Sequence, residues 1–185
     1  MTAGLTSALP AGTRQLRDAF GRFGTGVAVV IAGSNPSVAA AVTINSFVSV
    51  SLEPPLVSFS LAARARCLAN FLDAREITIS VLRHEQKSLA ANFARPSTAR
   101  WVGLPLASTA GGQLIVRDPL AAFECVPERQ VPAGDHVILV LRIRHIHLGA
   151  TGPPLLFFSS GYGSFLPDNG ARDDWERASA AMGWG

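Results

Sequence analysis

A strict alternation of side-chain character from residue 41 to residue 52 constrains the fold more than any other feature of the sequence. Odd positions carry small, polar or aromatic residues, and even positions carry mostly aliphatic ones. A period of two is typical of a half-buried β-strand, because successive side chains point to opposite faces. We expect one strand here, ending at Glu53-Pro54-Pro55, since two prolines cannot continue a hydrogen-bonded ladder.

The two faces of this predicted strand differ in chemistry. The even face is expected in the core, whereas the odd face holds Ala41, Thr43, Asn45, Phe47, Ser49 and Ser51. Short neutral hydrogen-bonding groups suit a flat, heteroatom-rich ligand that approaches the backbone closely. A Ser/Thr-rich face turned to solvent is the alternative, and these residues alone favour it.

Composition bounds the class of protein. At 185 residues the chain is most simply one domain with a sizeable core. Hydrophobic residues make up 48% and charged residues only 16%, which predicts that part of the surface is covered by a partner subunit, most simply in a homodimer. The net charge of +3 is too small to imply nucleic-acid binding.

Cysteine usage and hydropathy point to a cytoplasmic protein. Cys67 and Cys125 are isolated, so neither a disulfide nor a zinc site is expected. The N-terminus lacks the basic and apolar regions of a secretory signal. The longest apolar run, Val137 to Leu141, has the length of a strand and is too short to span a membrane.

Turn and breaker signals divide the chain into a flexible lead (residues 1–12), one domain (13–166) and a polar tail (167–185). Helices are predicted at Thr13–Gly21, with Thr13 as the N-cap, at Cys67–Ala74 and at His84–Ala94. Further strands are predicted at Val27–Ile31, Leu56–Leu61, Glu76–Leu82, Gln113–Val116, Leu120–Val126, Val137–Leu148 and Leu155–Ser160. The segment Arg95–Gly112 resists assignment. This order predicts a mainly β domain with helical insertions, in the form of a closed antiparallel barrel.

A series of short motifs, in order along the chain, matches a known family. They are Phe23-Gly24-Thr25-Gly26-Val27, Thr43-Ile44-Asn45-Ser46-Phe47, Ser49-Val50-Ser51-Leu52-Glu53-Pro54-Pro55-Leu56, Gln86 with Phe93, Glu124-Cys125, Gly134-Asp135-His136 and Tyr162. From about Leu16 to Phe165 the chain resembles the short-chain flavin reductases, the NAD(P)H-dependent partners of two-component flavin monooxygenases. The resemblance implies their FMN-binding fold, a split antiparallel β-barrel.

The resemblance assigns the polar strand face to flavin. It implies that Thr43, Ile44, Asn45 and Ser46 lie along the flavin ring and ribityl chain, and that Ser49, Val50, Ser51 and Pro55 continue this wall. The bend Ala62–Cys67 lacks the hydroxyls that the family often places beside the flavin phosphate. Arg66 or Arg64 could replace them through charge-assisted hydrogen bonds, or could be solvated. Phe93 matches a flavin-contacting position, although packing with Leu89 in the core would explain it equally well.

The same resemblance assigns a second group of residues to the nicotinamide. It implies that Gly134, Asp135 and His136 bind on that side, with His136 near both cofactors, and that Tyr162 stacks near the nicotinamide. Asp135 and Tyr162 could also be ordinary turn residues. His145 and His147 share one strand face, but no third metal ligand accompanies them, so a solvated or intersubunit face is favoured over a metal site.

The function implied is hydride transfer from NADH or NADPH to free FAD or FMN by a homodimer, with reduced flavin passing to a separate monooxygenase. His136 is expected to orient the reactants. Two alternatives stay open: a split-barrel flavoenzyme with tightly bound flavin and its own substrate, and a non-catalytic flavin- or haem-binding barrel. No nucleic-acid or membrane partner is expected.

Overall fold

The computed structural model of the protein describes residues 12–35, 39–95, 101, 103–149 and 151–165. The predicted tail, and the predicted lead apart from Gly12, lie outside these residues. The helices are α1 (Thr13–Phe20), α2 (Leu68–Leu72) and α3 (Lys87–Phe93), the last preceded by a 3-10 turn at His84–Gln86. The strands are β1 (Thr25–Gly26), β2 (Ala28–Ala32), β3 (Ala40–Ile44), β4 (Val48–Ser51), β5 (Leu56–Ala62), β6 (Ile77–Val81), β7 (Leu106–Ser108), β8 (Leu114–Val116), β9 (Ala121–Ala133), β10 (His136–Leu148), β11 (Leu155–Phe158) and β12 (Gly161–Ser164).

Seven antiparallel strands form the main sheet, in the order β3-β2-β6-β9-β10-β5-β4. Its two edge strands, β3 and β4, follow one another in the chain with only residues 45–47 between them. The sheet must therefore curl until its edges meet, which makes a barrel that is split along one line. We call residues 45–47, which bridge the two edges, the seam.

The seam corrects the prediction of one continuous strand from residue 41 to residue 52. β3 pairs with β2, whereas β4 pairs with β5 on the other edge of the sheet. The predicted apolar face is buried only in the first half, at Ile44, while Val48, Val50 and Leu52 are 56%, 51% and 76% exposed. The alternation is real, but the chain changes sheet edges in the middle of it.

The core fills both sides of β2. The interior of the barrel holds Phe59, Phe71, Ile79, Leu139 and Leu141, among others. A second cluster lies outside the barrel between β2 and its covering elements, and includes Val29, Leu82, Leu89, Phe93 and Leu155. All five residues of β2 are buried as a result, which explains why this strand reads as an unbroken apolar run.

Two small sheets are added to the barrel. β1, β11 and β12 form a three-stranded sheet in the order β1-β11-β12, which we call the platform. β7, which lies within the segment that resisted assignment, forms a hairpin with β8, which matches the predicted strand Gln113–Val116, and side chains of β6 hold this hairpin in place. Thr78 Oγ1 donates to the carbonyl of Leu114, and Ser80 Oγ accepts from the amide of Val116 at 3.1 Å.

Several predicted boundaries shift in the structure. Gly12, not Thr13, is the N-cap of α1. β9 extends through Ala133, seven residues beyond its predicted end at Val126, because it pairs along the full length of β10. The last predicted strand, Leu155–Ser160, ends at Phe158, and Gly161–Ser164 is a strand of its own. None of the helices in the described ranges is long and apolar enough to cross a membrane.

Candidate functional site

A cleft opens where the seam faces the platform. Its walls combine the end of β3 and the first seam residue with the end of α3 and the aromatic residues of the platform. Its volume is about 220 Å³ and its lining is Val27, Thr43, Ile44, Asn45, Ala94, Phe157 and Tyr162. This volume lies below the roughly 300–1,000 Å³ usual for ligand pockets, so the cleft is one part of a larger binding surface.

The β3 wall of the cleft is fixed by helix α3. Thr43 Oγ1 donates a hydrogen bond of 2.7 Å to the carbonyl of Ala90. Ile44 is buried against the barrel core, while Asn45 is exposed at the start of the seam. Thr43, Ile44 and Asn45 therefore line a cleft in which a ligand could reach the backbone at the start of the seam.

The platform wall is a row of side chains on one face of its three strands. Thr25 pairs with Phe157, and Phe157 pairs with Tyr162, so the three side chains lie side by side. The Phe157 and Tyr162 rings meet edge to face at a centroid distance of 5.5 Å. The hydroxyl of Thr25 is buried and has no hydrogen-bond partner among the described residues. Tyr162, expected from sequence to act beside the nicotinamide, lines the same cleft as Thr43 and Asn45.

Ser46 lies at the seam but contacts protein. Its hydroxyl accepts from the Ser60 amide at 3.0 Å and donates to the Ser60 carbonyl at 3.2 Å. It thereby ties the seam to β5 and does not line the cleft. The Ser46 hydroxyl therefore has partners in the protein backbone, and its predicted contact with the flavin stays a prediction.

The Gly134-Asp135-His136 motif forms the tight turn between β9 and β10. His136 Nδ1 donates to Asp135 Oδ1 at 2.7 Å, and this hydrogen bond lowers the pKa of the Asp135 carboxyl from its ordinary value. His136, at the start of β10, pairs with Ala62 of β5. Ala62 lies two residues after Ser60, whose backbone is bonded to Ser46. Strand spacing then puts the His136 backbone about 8 Å from that of Ser60. The turn and the seam are neighbours at the same end of β5.

The basic bend lies beside this turn. The Ala63 amide donates to the Asp135 carbonyl at 2.8 Å, so the bend and the turn are held together. Arg66 is exposed, as is Arg64, whose charge also helps to lower the pKa of Asp135. The bend thus presents two exposed cationic side chains on the side of the barrel where the Asp135 turn lies.

Other predicted site residues lie apart from the cleft. Ser49, Val50 and Ser51 are on edge strand β4, and Pro55 is exposed beyond it. Phe93 is only 1% exposed and packs edge to face on Trp101 at 5.3 Å. Its ring belongs to the core, so the core interpretation of Phe93 is the one that the structure supports, and the following residue, Ala94, reaches the cleft instead.

Sequence reasoning missed Val27, Ala94 and Phe157 as lining residues. Val27 is the last residue of a motif that marked the family, but an apolar residue at a strand start carries no chemical signal. Phe157 was read as part of an apolar strand, and only its pairing with Tyr162 shows which face it presents. Ala94 follows helix α3 as a small apolar residue and likewise carries no chemical signal in the sequence.

His145 and His147, near the end of β10, have separate environments. His147 Nε2 donates to Glu124 Oε1 at 2.6 Å, and Glu124 is 4% exposed. His145 lines a different cavity of about 280 Å³. Within the described part of the chain, no group of three or more His, Cys, Asp or Glu residues is placed to hold a metal ion. Burial raises the pKa of the Cys125 thiol to about 12, so this thiol is unreactive.

A larger cleft of about 390 Å³ lies at the opposite end of β2, between the β2–β3 turn and α2. Its lining includes Gly33, Ser34, Asp73 and Arg75 but no aromatic side chain. A flat ring needs an apolar or aromatic surface to stack on. The smaller cleft between the seam and the platform is therefore the better candidate site.

Comparisons with known proteins agree with this architecture. The family described as "Flavin reductase like domain" matches residues 20–166. The chain is 36% identical over 156 residues to an actinorhodin polyketide dimerase of Streptomyces coelicolor, covering 84% of this chain and 88% of the relative. It is 35% identical over 146 residues to the reductase component of 4-hydroxyphenylacetate 3-monooxygenase of Thermus thermophilus, covering 79% and 92% of the two chains.

A solved structure gives the same result. The NADH:FAD oxidoreductase SgcE6 of Streptomyces globisporus, in complex with NAD and FAD fragments, superimposes with a TM-score of 0.82 at 30% identity. The match covers 90% of this chain and 99% of that one. The split antiparallel barrel is thereby confirmed, and the chain belongs to the flavin-reductase-like family.

Proposed function

We propose that this protein is an NADH-dependent flavin reductase that supplies reduced flavin to a separate monooxygenase. The observation that carries the proposal is the cleft between the seam and the platform, which sets the backbone of Thr43–Asn45 opposite the aromatic pair Phe157 and Tyr162. Flavin and nicotinamide rings are both flat, and hydride transfer needs them stacked and aligned more than it needs a strong acid or base.

The residues of the cleft fit a flavin ring. One side is apolar, formed by Val27, Ile44 and Phe157, and can hold the isoalloxazine face. The other side presents the polar edge of Thr43 and Asn45. When bound, flavin accepts a hydride at N5 from nicotinamide C4, and donors aimed at its N1 and C2 carbonyl stabilise the negative charge of the reduced form.

Arg64 and Arg66 are proposed to hold the flavin phosphate. Both are exposed on a bend that is bonded to the Asp135 turn, next to the end of β5. A guanidinium replaces the missing hydroxyls by charge-assisted hydrogen bonds, which are stronger than neutral ones. With this anchor the phosphate end would lie at the bend and the ring end at the cleft.

His136 is proposed to orient the nicotinamide beside the flavin. Its imidazole is held by the Asp135 carboxylate, which fixes the N–H on Nδ1 and leaves Nε2 as an acceptor when the ring is neutral. An acceptor held in a fixed direction suits a donor such as the nicotinamide carboxamide. Gly134, with a backbone φ of +61°, allows the turn to place the ring there.

A homodimer is proposed to complete the site. The cleft of one protomer is smaller than a usual ligand pocket, and strand β4 beside the seam exposes Val48, Val50 and Leu52. A second copy of the chain over β4 would cover an exposed apolar edge strand, which could otherwise pair with other chains and aggregate. Such a subunit could also enlarge the cleft on its open side. The cytoplasm, where NADH is supplied, is the proposed compartment.

The experiment follows NADH oxidation by its absorbance, with and without catalytic amounts of added FAD or FMN. Turnover that requires added flavin supports the reductase. Turnover without added flavin supports an enzyme with tightly bound flavin, and no turnover under either condition supports a non-catalytic binder. Flavin retained at full occupancy after extensive dialysis would also contradict release to a partner enzyme.

A variant tests the role of His136. His136→Ala should raise the KM for NADH more than the Kd for flavin, because the imidazole is assigned to the nicotinamide side. Asp135→Asn is the matched variant for His136→Ala, because it preserves the turn but weakens the hydrogen bond that holds the His136 imidazole. Equal losses in both constants, or no loss in either, would contradict the assignment.

A further inference from the structure

The platform strand that carries Tyr162 has a free edge. In the platform order β1-β11-β12, only β11 pairs with β12. β11 is held firmly, because the Leu155 amide donates to the Leu82 carbonyl at 2.9 Å and the Leu155 carbonyl accepts from the Val27 amide at 3.1 Å. β12 has no comparable backbone bond outside its hairpin among the described residues. A two-stranded hairpin is marginally stable in water, so the position of β12 depends on tertiary contacts.

The turn of this hairpin adds to that dependence. Ser159 and Ser160 connect β11 to β12 and have φ values of +46° and +65°. Such a turn is normally built from Asn-Gly, because left-handed backbone is costly for other residues. The serine pair therefore disfavours the observed hairpin, and something else must hold it.

One side chain reaches β12 from the barrel. His84 Nδ1 lies 3.3 Å from the carbonyl oxygen of Gly163, the residue after Tyr162. A carbonyl only accepts, so Nδ1 carries the proton. No backbone hydrogen bond between described residues joins β12 to a segment outside its own hairpin, so this side-chain contact is a direct tie from the barrel to β12.

The turn that carries His84 is itself rigid. Gln86 Oε1 accepts from the Arg83 amide at 2.9 Å, and Gln86 Nε2 donates to the Arg117 carbonyl at 2.9 Å. The His84 amide donates to the Pro153 carbonyl at 2.9 Å, at the entry to β11. The imidazole thus projects from a fixed base toward a strand that has few contacts of its own.

We propose that His84 is a positioning residue that holds β12, and with it the Tyr162 ring, in place against the cleft. It touches no reactant; it acts through the Gly163 carbonyl. The consequence for catalysis rests on the proposed function and on the role that the family resemblance implies for Tyr162, which is to stack near the nicotinamide. The hold on β12 itself does not depend on that function.

The test uses the fact that Tyr162 is the only tyrosine of the chain. Protein labelled with ¹³C at the tyrosine ring gives a single set of ring signals by NMR, without assignment. In His84→Ala these signals should broaden and lose the ring-current shift that the neighbouring Phe157 ring imposes. His84→Asn should restore them, because the Asn amide N–H occupies nearly the position of Nδ1–H, whereas His84→Gln places its donor too far out.

The kinetic arm measures the KM for NADH, the KM for flavin and kcat. Loss of one neutral hydrogen bond predicts a KM for NADH about fivefold higher in His84→Ala, with the other two constants little changed. His145→Ala, at an exposed histidine of β10, is the control and should behave as wild type in both arms.

The outcomes separate the two claims. Wild-type Tyr162 signals in folded His84→Ala, or no rescue by His84→Asn, would overturn the positioning role. Altered signals with an unchanged KM for NADH would support the positioning role and overturn the nicotinamide role of Tyr162. Altered signals with the selective rise in KM support both.

Discussion

The β9–β10 and β11–β12 hairpins both use two-residue turns, but they obtain their shapes in different ways. The first has strands of 13 residues each and a turn that begins with Gly134 at φ +61°. Glycine at that position of a two-residue turn is what a type II′ hairpin requires. The second has strands of 4 residues each, joined by Ser159 and Ser160 in the left-handed region.

The difference shows which parts of the molecule are specified locally. The long hairpin has matching turn chemistry and buried residues such as Leu139 and Leu141, so local and global preferences agree. The short hairpin has an unfavourable turn and depends on contacts such as the 2.7 Å bond from the Ser159 amide to the Gly21 carbonyl. It belongs to the candidate site, where local rules are commonly broken.

The largest expected effect comes from opening a cavity under the long hairpin. Leu141→Ala should reduce the free energy of unfolding by about 3 kcal/mol, since Leu141 is fully buried in the barrel. Phe157→Ala, in the partly exposed platform, should cost roughly half as much while impairing activity more. Urea unfolding and flavin-dependent NADH oxidation measure the two quantities. Equal losses of stability would mean that the platform is as integral to the fold as the barrel.

A smaller effect is expected at the turn of the long hairpin. Gly134→Ala should destabilise the protein by roughly 1 kcal/mol through the positive φ alone. A Cβ there would meet no heavy atom within 4 Å, so steric clash contributes nothing. Thermal unfolding measures the change. An unchanged midpoint would show that the turn relaxes to another type without cost.

The opposite sign is expected at the short hairpin. Ser160→Gly should stabilise the protein by roughly 0.5 kcal/mol, because relief of the left-handed strain exceeds the added entropy of the unfolded chain. Ser164→Gly, within strand β12, is the matched control and should destabilise it. Both are measured by urea unfolding. If Ser160→Gly were also destabilising, the serine turn would not be strained.

The smallest effect concerns acid stability, and it falls on the long hairpin. Glu128 accepts two hydrogen bonds from Arg142, which lower the pKa of its carboxyl from the ordinary value of 4.5. The resulting stabilisation is present above that value and is lost as pH falls through the lowered pKa. Glu128→Gln should therefore weaken the acid dependence of the melting temperature between neutral pH and pH 3. An unchanged pH profile would assign this dependence to other carboxyl groups.

The same contrast explains what the sequence could predict. Strands with their own signals were found near their true positions: β2, β5 and β10 from apolar runs, and β6 from strand alternation. The Gly134 turn was found from its chemistry. The seam was missed because residues 41–52 keep one alternation while the chain crosses between sheet edges. β12 was missed because two glycines around Tyr162 predict a loop. Its pairing with β11 in the platform has no signal in the local sequence.

The site was predicted in part for the same reason. Thr43, Ile44, Asn45 and Tyr162 were identified through the family motifs, and the structure brings them to one cleft. Ser46 and Phe93 belong to the same motifs, yet their side chains satisfy the fold first, one by bonding Ser60 and the other by filling the core. A motif indicates that a residue has a role, and only the packing around its side chain shows whether that side chain contacts a ligand or the rest of the protein.

The split in the barrel has a mechanical consequence. β3 and β4 are not hydrogen-bonded to each other, so the barrel wall can separate along that line without breaking the hydrogen bonds of a β-ladder. Such a separation would break the two hydrogen bonds between the Ser46 hydroxyl and the Ser60 backbone. An enzyme that must release its product after each turnover can therefore open its barrel wall at a low cost in free energy. The opening would lie where the isoalloxazine is proposed to bind.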